Sequence, residues 1–86
     1  MPRISEFYGI VIYMYPRDHG LPHFHARYAG GDCSVAIATG TTIAGDLPPR
    51  VLRLVRQWAS EYRTELYANW DRAHNEEALK PISPLK

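Results

Sequence analysis

At 86 residues, with a formal net charge of +1 and a single cysteine, the chain is short, nearly neutral and unable to form an internal disulfide. That length bounds it to one domain, residues 1–86, with a thin core, since a chain of this size buries only roughly 60% of the surface it exposes when unfolded. The charge balance excludes a strong global attraction to nucleic acid or to a membrane surface, leaving only a local basic patch open, and the lone Cys33 fits a reducing compartment.

Residues 1–6 hold no apolar signal core. No run approaches the ~20 apolar residues of a membrane helix, so the expectation is a cytoplasmic protein with no membrane partner. Residues 1–8 are mixed and lead into a sheet. Gly9 then opens Ile10-Val11-Ile12-Tyr13-Met14-Tyr15, rich in β-branched and aromatic residues and the clearest strand. Pro16 to Pro22 reads as a loop. The second strand is 23–28, and Gly30-Gly31 reads as a two-residue hairpin turn because both positions take positive φ. Cys33 to Ala38 is the third strand. Thr39-Gly40-Thr41 turns the chain, and Thr42-Ile43-Ala44 adds a short fourth.

Asp46-Leu47-Pro48-Pro49 reads as a helix start, with Asp46 as N-cap and proline in the first turn. Apolar residues then recur at helical spacing to about Ala78: Val51, Val55, Trp58, Tyr62, Leu66, Trp70 and Ala73. One straight helix of that length would span ~45 Å, too long for so small a domain, so a break is expected near Ser60. The prolines of the 80–86 tail forbid helix and leave an extended segment to dock. The fold class is therefore α+β: an antiparallel three- to four-stranded meander followed by one bent or two helices packed on one face.

The second strand carries the chemistry. His23, His25 and Arg27 alternate with Phe24, Ala26 and Tyr28. Strand side chains point to opposite faces in turn, so one face is apolar and the other bears two imidazoles and a guanidinium. A turn at Gly30-Gly31 pairs Tyr28 with Cys33, Ala26 with Val35 and Phe24 with Ile37, and sets Ser34, Ala36 and Ala38 opposite Arg27, His25 and His23. A symmetric 16–22 loop pairs Ile12 with Ala26 and sets Tyr13 beside His25 and Tyr15 beside His23. A one-residue slip would bury the histidines, so the faces are well specified. Asp18 and His19 overhang one end from the loop.

Three uses of this face stay open. Two imidazoles that titrate near neutrality, an arginine for an anion and a tyrosine are a set able to cleave RNA by acid–base chemistry. His23 and His25, two apart on one strand face, can share a metal ion, with His19 or Asp18 completing an open site. Or the histidines simply pack under a helix or a partner chain. Candidate catalytic residues are thus His23, His25, Arg27, His19, Asp18, Tyr13 and Tyr15. Arg50, Arg53 and Arg56 offer a second, weaker nucleic-acid edge on the helix, for which the plain reading is a solvated face. His74 reads as a surface residue, and Pro2 becomes a candidate nucleophile only if Met1 is removed. The sequence requires no cofactor.

The stretches Ile4-Ser5, Tyr8-Gly9-Ile10-Val11-Ile12, Met14-Tyr15, Asp18-His19, Pro22-His23-Phe24-His25-Ala26, Leu47-Pro48, Trp58-Ala59 and Asn69-Trp70, spread over nearly the whole chain, resemble the bacterial domain-of-unknown-function family 4160. The Asp-His-x-x-Pro-His-Phe-His-Ala block is the distinctive part. Leu21 stands where that family often has proline, a departure that changes loop stiffness and not chemistry. The resemblance implies a small bacterial protein encoded beside a member of unknown-function family 2442, in the toxin's place of a type II toxin–antitoxin pair. The expected function is then a toxin-like effector acting through the His/Arg/Tyr face on RNA or translation. Its expected partner is a small antitoxin-like protein, with RNA or DNA as target and a homodimer as a further arrangement. The competing expectations are a non-catalytic module that holds a protein or DNA partner, and a small metal-binding protein.

Overall fold

The computed structural model describes residues 3–86, and Pro2 lies outside them. The elements are β1 (Arg3–Phe7), β2 (Ile10–Tyr13), β3 (His23–Tyr28), β4 (Gly31–Ala36), β5 (Thr42–Gly45), α1 (Pro49–Glu61) and α2 (Arg63–His74). The five strands form one antiparallel sheet in sequential order, each joined to the next, and the helices follow. The α+β class is as expected, with one more strand than the sequence reading allowed. The sequence reads as no more than a lead-in at β1, because five residues interrupted by Ser5 and Glu6 leave little alternation. A bulge between Arg3 and Ser5 brings the adjacent residues Ile4 and Ser5 both to buried positions.

β2 and β3 pair as the sequence implies, Val11 with Arg27, Ile12 with Ala26 and Tyr13 with His25. β3 and β4 do not. His25 lies opposite Ser34, Phe24 opposite Val35 and Tyr28 opposite Gly31, a slide of two residues from the expected register. The turn is Ala29-Gly30, both at positive φ (49° and 84°), so a non-glycine takes the left-handed position. Gly31 is not spare for the turn. A Cβ there would stand 3.3 Å from Leu47, whose buried side chain follows β5 into the core. Because the pleat repeats every two residues, the slide leaves each side chain on its expected face.

The apolar face of the sheet meets the helices in one cluster. Ile10, Ile12, Met14, Phe24, Ala26, Val35 and Ile37 are buried from the sheet, and Val51, Val55, Trp58 and Leu66 from the helices. α1 begins with Pro49 but has no side-chain cap, and Asp46 instead accepts a hydrogen bond from the Leu47 N–H (2.9 Å). The helical run breaks at Tyr62 (φ −116°, ψ 28°), two residues past the expected point, and ends at His74 instead of continuing to Ala78. Arg56 and Arg63 donate to the carbonyls of Gly40 and Ile37 (3.2 and 3.1 Å), fastening the helices to the β4–β5 connection.

The tail docks as an extended segment. Ile82 N–H donates to the Ile4 carbonyl of β1 (2.7 Å), and the Trp58 indole N–H donates to the Ser83 carbonyl (2.8 Å). Asn69, fully buried, grips Lys80 like a strand partner, its amide donating to the Lys80 carbonyl (2.8 Å) and its oxygen accepting from the Lys80 N–H (2.9 Å). Burial foremost, and then the carboxylates of Asp32 and Asp46, pushes the Cys33 thiol above its ordinary range.

Two outcomes follow. Asn69→Leu orphans both Lys80 groups and should cost about 2 kcal/mol in a urea melt, with the tail becoming sensitive to limited proteolysis; a tail as protected as in the wild type would contradict the clamp. Cys33, held as the thiol, should react with an aromatic disulfide reagent roughly tenfold or more slowly than free cysteine until the chain is unfolded.

Candidate functional site

The alternation of β3 sends Phe24 and Ala26 into the core and leaves His23 and His25 partly buried on the opposite face. The 14–22 loop then brings Asp18 back over them. Asp18 Oδ2 lies 2.8 Å from His25 Nε2 and 3.4 Å from His23 Nε2. The far nitrogens are also engaged: His23 Nδ1 is 2.7 Å from the Leu21 carbonyl, and His25 Nδ1 is 3.2 Å from Ser34 Oγ. The three side chains keep 13% (His23), 24% (His25) and 23% (Asp18) of their surface exposed, so the cluster is mostly buried but still reaches solvent.

Aromatic rings frame it. The Tyr15 ring meets His25 edge-on at 4.7 Å between centroids, Tyr13 and Tyr15 lie parallel at 6.3 Å, and Trp70 of α2 stands 5.3 Å from His23. Arg27 turns away, its guanidinium 5.4 Å over the Tyr13 ring. The expected face therefore divides into an Asp18–His23–His25 centre and a neighbouring Tyr13–Tyr15–Arg27 patch. His19 is exposed and stands apart from the convergent set, whose ligand-type atoms all lie within 4.8 Å of one another.

Three contributors were not legible in the sequence. A Gly30-Gly31 turn sets Ser34 opposite Arg27, whereas it lies opposite His25; the clue is that a turn one residue earlier also keeps every face intact. Trp70 reads as core by periodicity, and nothing in the sequence says that α2 reaches the site. His74 is exposed, yet its two ring nitrogens lie 2.8 Å from the Trp70 carbonyl and 2.9 Å from the Asp18 carbonyl, so the ring sits between the helix and the loop and donates to one of them as the neutral species.

Two cavities border the centre. One of about 140 Å³ is lined by His19, Leu21, His23, Ser34, Ile43 and Ala44. The larger, about 860 Å³, lies between the 16–19 loop and the end of α2, where Asp18, Glu76 and Glu77 outnumber Arg17 and make it unfavourable for an anion. The helix arginines are partly committed elsewhere: Arg56 to Gly40, and Arg50 within 3.4 Å of the Tyr28 hydroxyl. Arg53 makes no hydrogen bond or ion pair among the described residues.

Compared with known families, residues 9–71 match the one described as domain of unknown function (DUF4160). The chain belongs to this family. Asp18, His23, His25, Ser34 and Trp70 all fall inside the matched span, whereas His74 and the docked tail lie beyond it. No curated protein and no solved structure matches the chain. Among the described residues no helix is long and apolar enough to cross a membrane.

The hydrogen-bond partners assign the neutral rings. A carbonyl only accepts, so His23 carries its hydrogen on Nδ1; an ionised carboxylate only accepts, so His25 carries its own on Nε2 and takes the Ser34 hydroxyl hydrogen at Nδ1. Long-range ¹H–¹⁵N spectra of the metal-free protein should therefore show the neutral rings in opposite tautomers, and the same tautomer at both would overturn this network.

Proposed function

We propose that this chain is a cytoplasmic, toxin-like effector of a bacterial two-gene module that acts on RNA at the Asp18–His23–His25 centre. The observation that carries this reading is the convergence of one carboxylate and two imidazoles on a sheet face that solvent still reaches. Groups of this kind transfer protons or polarise water near neutral pH. The adjoining Tyr13–Tyr15–Arg27 patch supports the choice of substrate, because aromatic faces stack on bases and a guanidinium pairs with phosphate. A strand would lie on that patch and not in the larger cavity, whose Glu76 and Glu77 repel it. The antitoxin-like partner fits the β5 edge, since the opposite edge at β1 already receives the tail through Ile82, whereas Ile43 of β5 is exposed.

A second reading, a non-catalytic binding module, is favoured by one observation: every ring nitrogen of His23 and His25 already has a neighbour within the chain, as in a purely structural network. Induced expression separates the two. At matched soluble levels the wild type should arrest bacterial growth and degrade RNA, and the His23→Ala, His25→Ala double variant should do neither. Equal arrest by both would move the toxicity to a binding surface such as the Arg53 edge, and arrest by neither would sink the effector reading in that host.

A further inference from the structure

Asp18, His23 and His25 present their atoms as a metal-ligand set, and the outer contacts of the rings carry that reading beyond mere proximity. Asp18 Oδ2, His23 Nε2 and His25 Nε2 come from a loop and one strand face and converge within 4.8 Å of one another. Ligands at ~2.0 Å around a tetrahedral ion stand ~3.3 Å apart, and those at right angles around an octahedral one ~2.9 Å. The observed 2.8 and 3.4 Å separations from Asp18 sit at these edges.

The second observation is a mismatch of hydrogens. The Leu21 carbonyl, 2.7 Å from His23 Nδ1, holds that ring's hydrogen there. In the neutral ring, Nε2 then points a lone pair at a carboxylate oxygen 3.4 Å away. Two acceptors then face each other with no hydrogen between them, an arrangement relieved by a proton on Nε2 or by a metal cation held between the two atoms. The far nitrogens already have the partners that metal-bound histidines use: a backbone carbonyl for His23 and a hydroxyl for His25. Ser34 is well suited because a hydroxyl can either donate or accept.

We infer that Asp18, His23 and His25 form a binding site for one zinc-like divalent transition-metal ion, ligated through Oδ2 and the two Nε2 atoms. Two imidazoles select such an ion over Mg²⁺ or Ca²⁺. Three protein ligands leave at least one position for water, as in catalytic rather than structural sites. His25 exchanges its Nε2 hydrogen for one on Nδ1, and Ser34 turns from donor to acceptor, so the ring remains neutral. The site deepens the effector reading by naming its cofactor, yet its test does not depend on toxicity.

The probes are Zn²⁺ and Co²⁺ titrated into untagged full-length chain, followed by calorimetry, by Co²⁺ visible absorption and by ¹⁵N spectra of the rings. One ion per chain at about 1 µM or tighter is expected, unaffected by roughly millimolar Mg²⁺. His25 should move to the Nδ1–H tautomer, leaving both rings alike. Asp18→Asn and His23→Ala should each weaken binding by roughly 50-fold or more, and Ser34→Ala by about tenfold, with circular dichroism confirming that each variant folds. Unaltered affinity in folded Asp18→Asn and His23→Ala, no saturable binding, or an unmoved His25 tautomer would each overturn the site. Metal bound without growth arrest would remove the effector reading alone; histidine-dependent arrest without metal binding would remove this one alone.

Discussion

Phe24 and Ala26 have no exposed surface, and they alternate with the two histidines and the arginine. This single constraint sets both halves of the molecule. Burying Phe24 against Trp58, at 5.7 Å and nearly perpendicular, anchors the sheet to α1. The pleat then leaves His23 and His25 no place but the opposite face. Burial of a phenylalanine is worth about 2–3 kcal/mol, a large share of the margin in so small a domain. Turning the strand over would forfeit that and put two imidazoles into the core. The orientation of the candidate site is therefore a consequence of core packing and needs no separate device to maintain it.

Position along the strand is a different matter. The slide between β3 and β4 shows that core chemistry fixes the parity of the register and not its absolute value. Cys33, Val35 and Ile37 are interchangeable as partners for Phe24 and Ala26 on grounds of polarity alone. One contributor is Gly31, where a Cβ would press against Leu47 at 3.3 Å. That contact comes from a segment some fifteen residues later, so no local pattern reveals it. In the resulting register His25, and not Arg27, meets Ser34.

The faces of the sheet, the helical stripe, the break and the docked tail were legible because each depends on periodicity or on proline within the segment itself. β1 was not, since its place depends on pairing with β2 and on the tail. Nor was the division of labour among the arginines. Helical spacing groups Arg50, Arg53 and Arg56, but the structure takes Arg56 out of that edge by laying it over Gly40, where a Cβ would lie 2.8 Å from the arginine's Cγ. The same limit hid the role of His74, whose partner Asp18 is 56 residues away.

Asp18 is where these long-range relations meet. Its N–H donates to the Tyr15 carbonyl at 3.3 Å, its own carbonyl faces His74, and its carboxylate faces both β3 histidines. A loop of this length, carrying Gly20 at positive φ, would otherwise leave a carboxylate free to turn into water. Holding it costs conformational entropy at the backbone and desolvates part of a charge. A purely structural loop could have closed with a serine or an amide and avoided the charge altogether. The fold instead fastens the carboxylate from the helix, the loop and the strand, and sets it against two rings of which only one has a hydrogen to offer as the neutral species. The loop thus spends entropy and desolvation to aim a charge at two imidazoles, which a purely structural closure does not require.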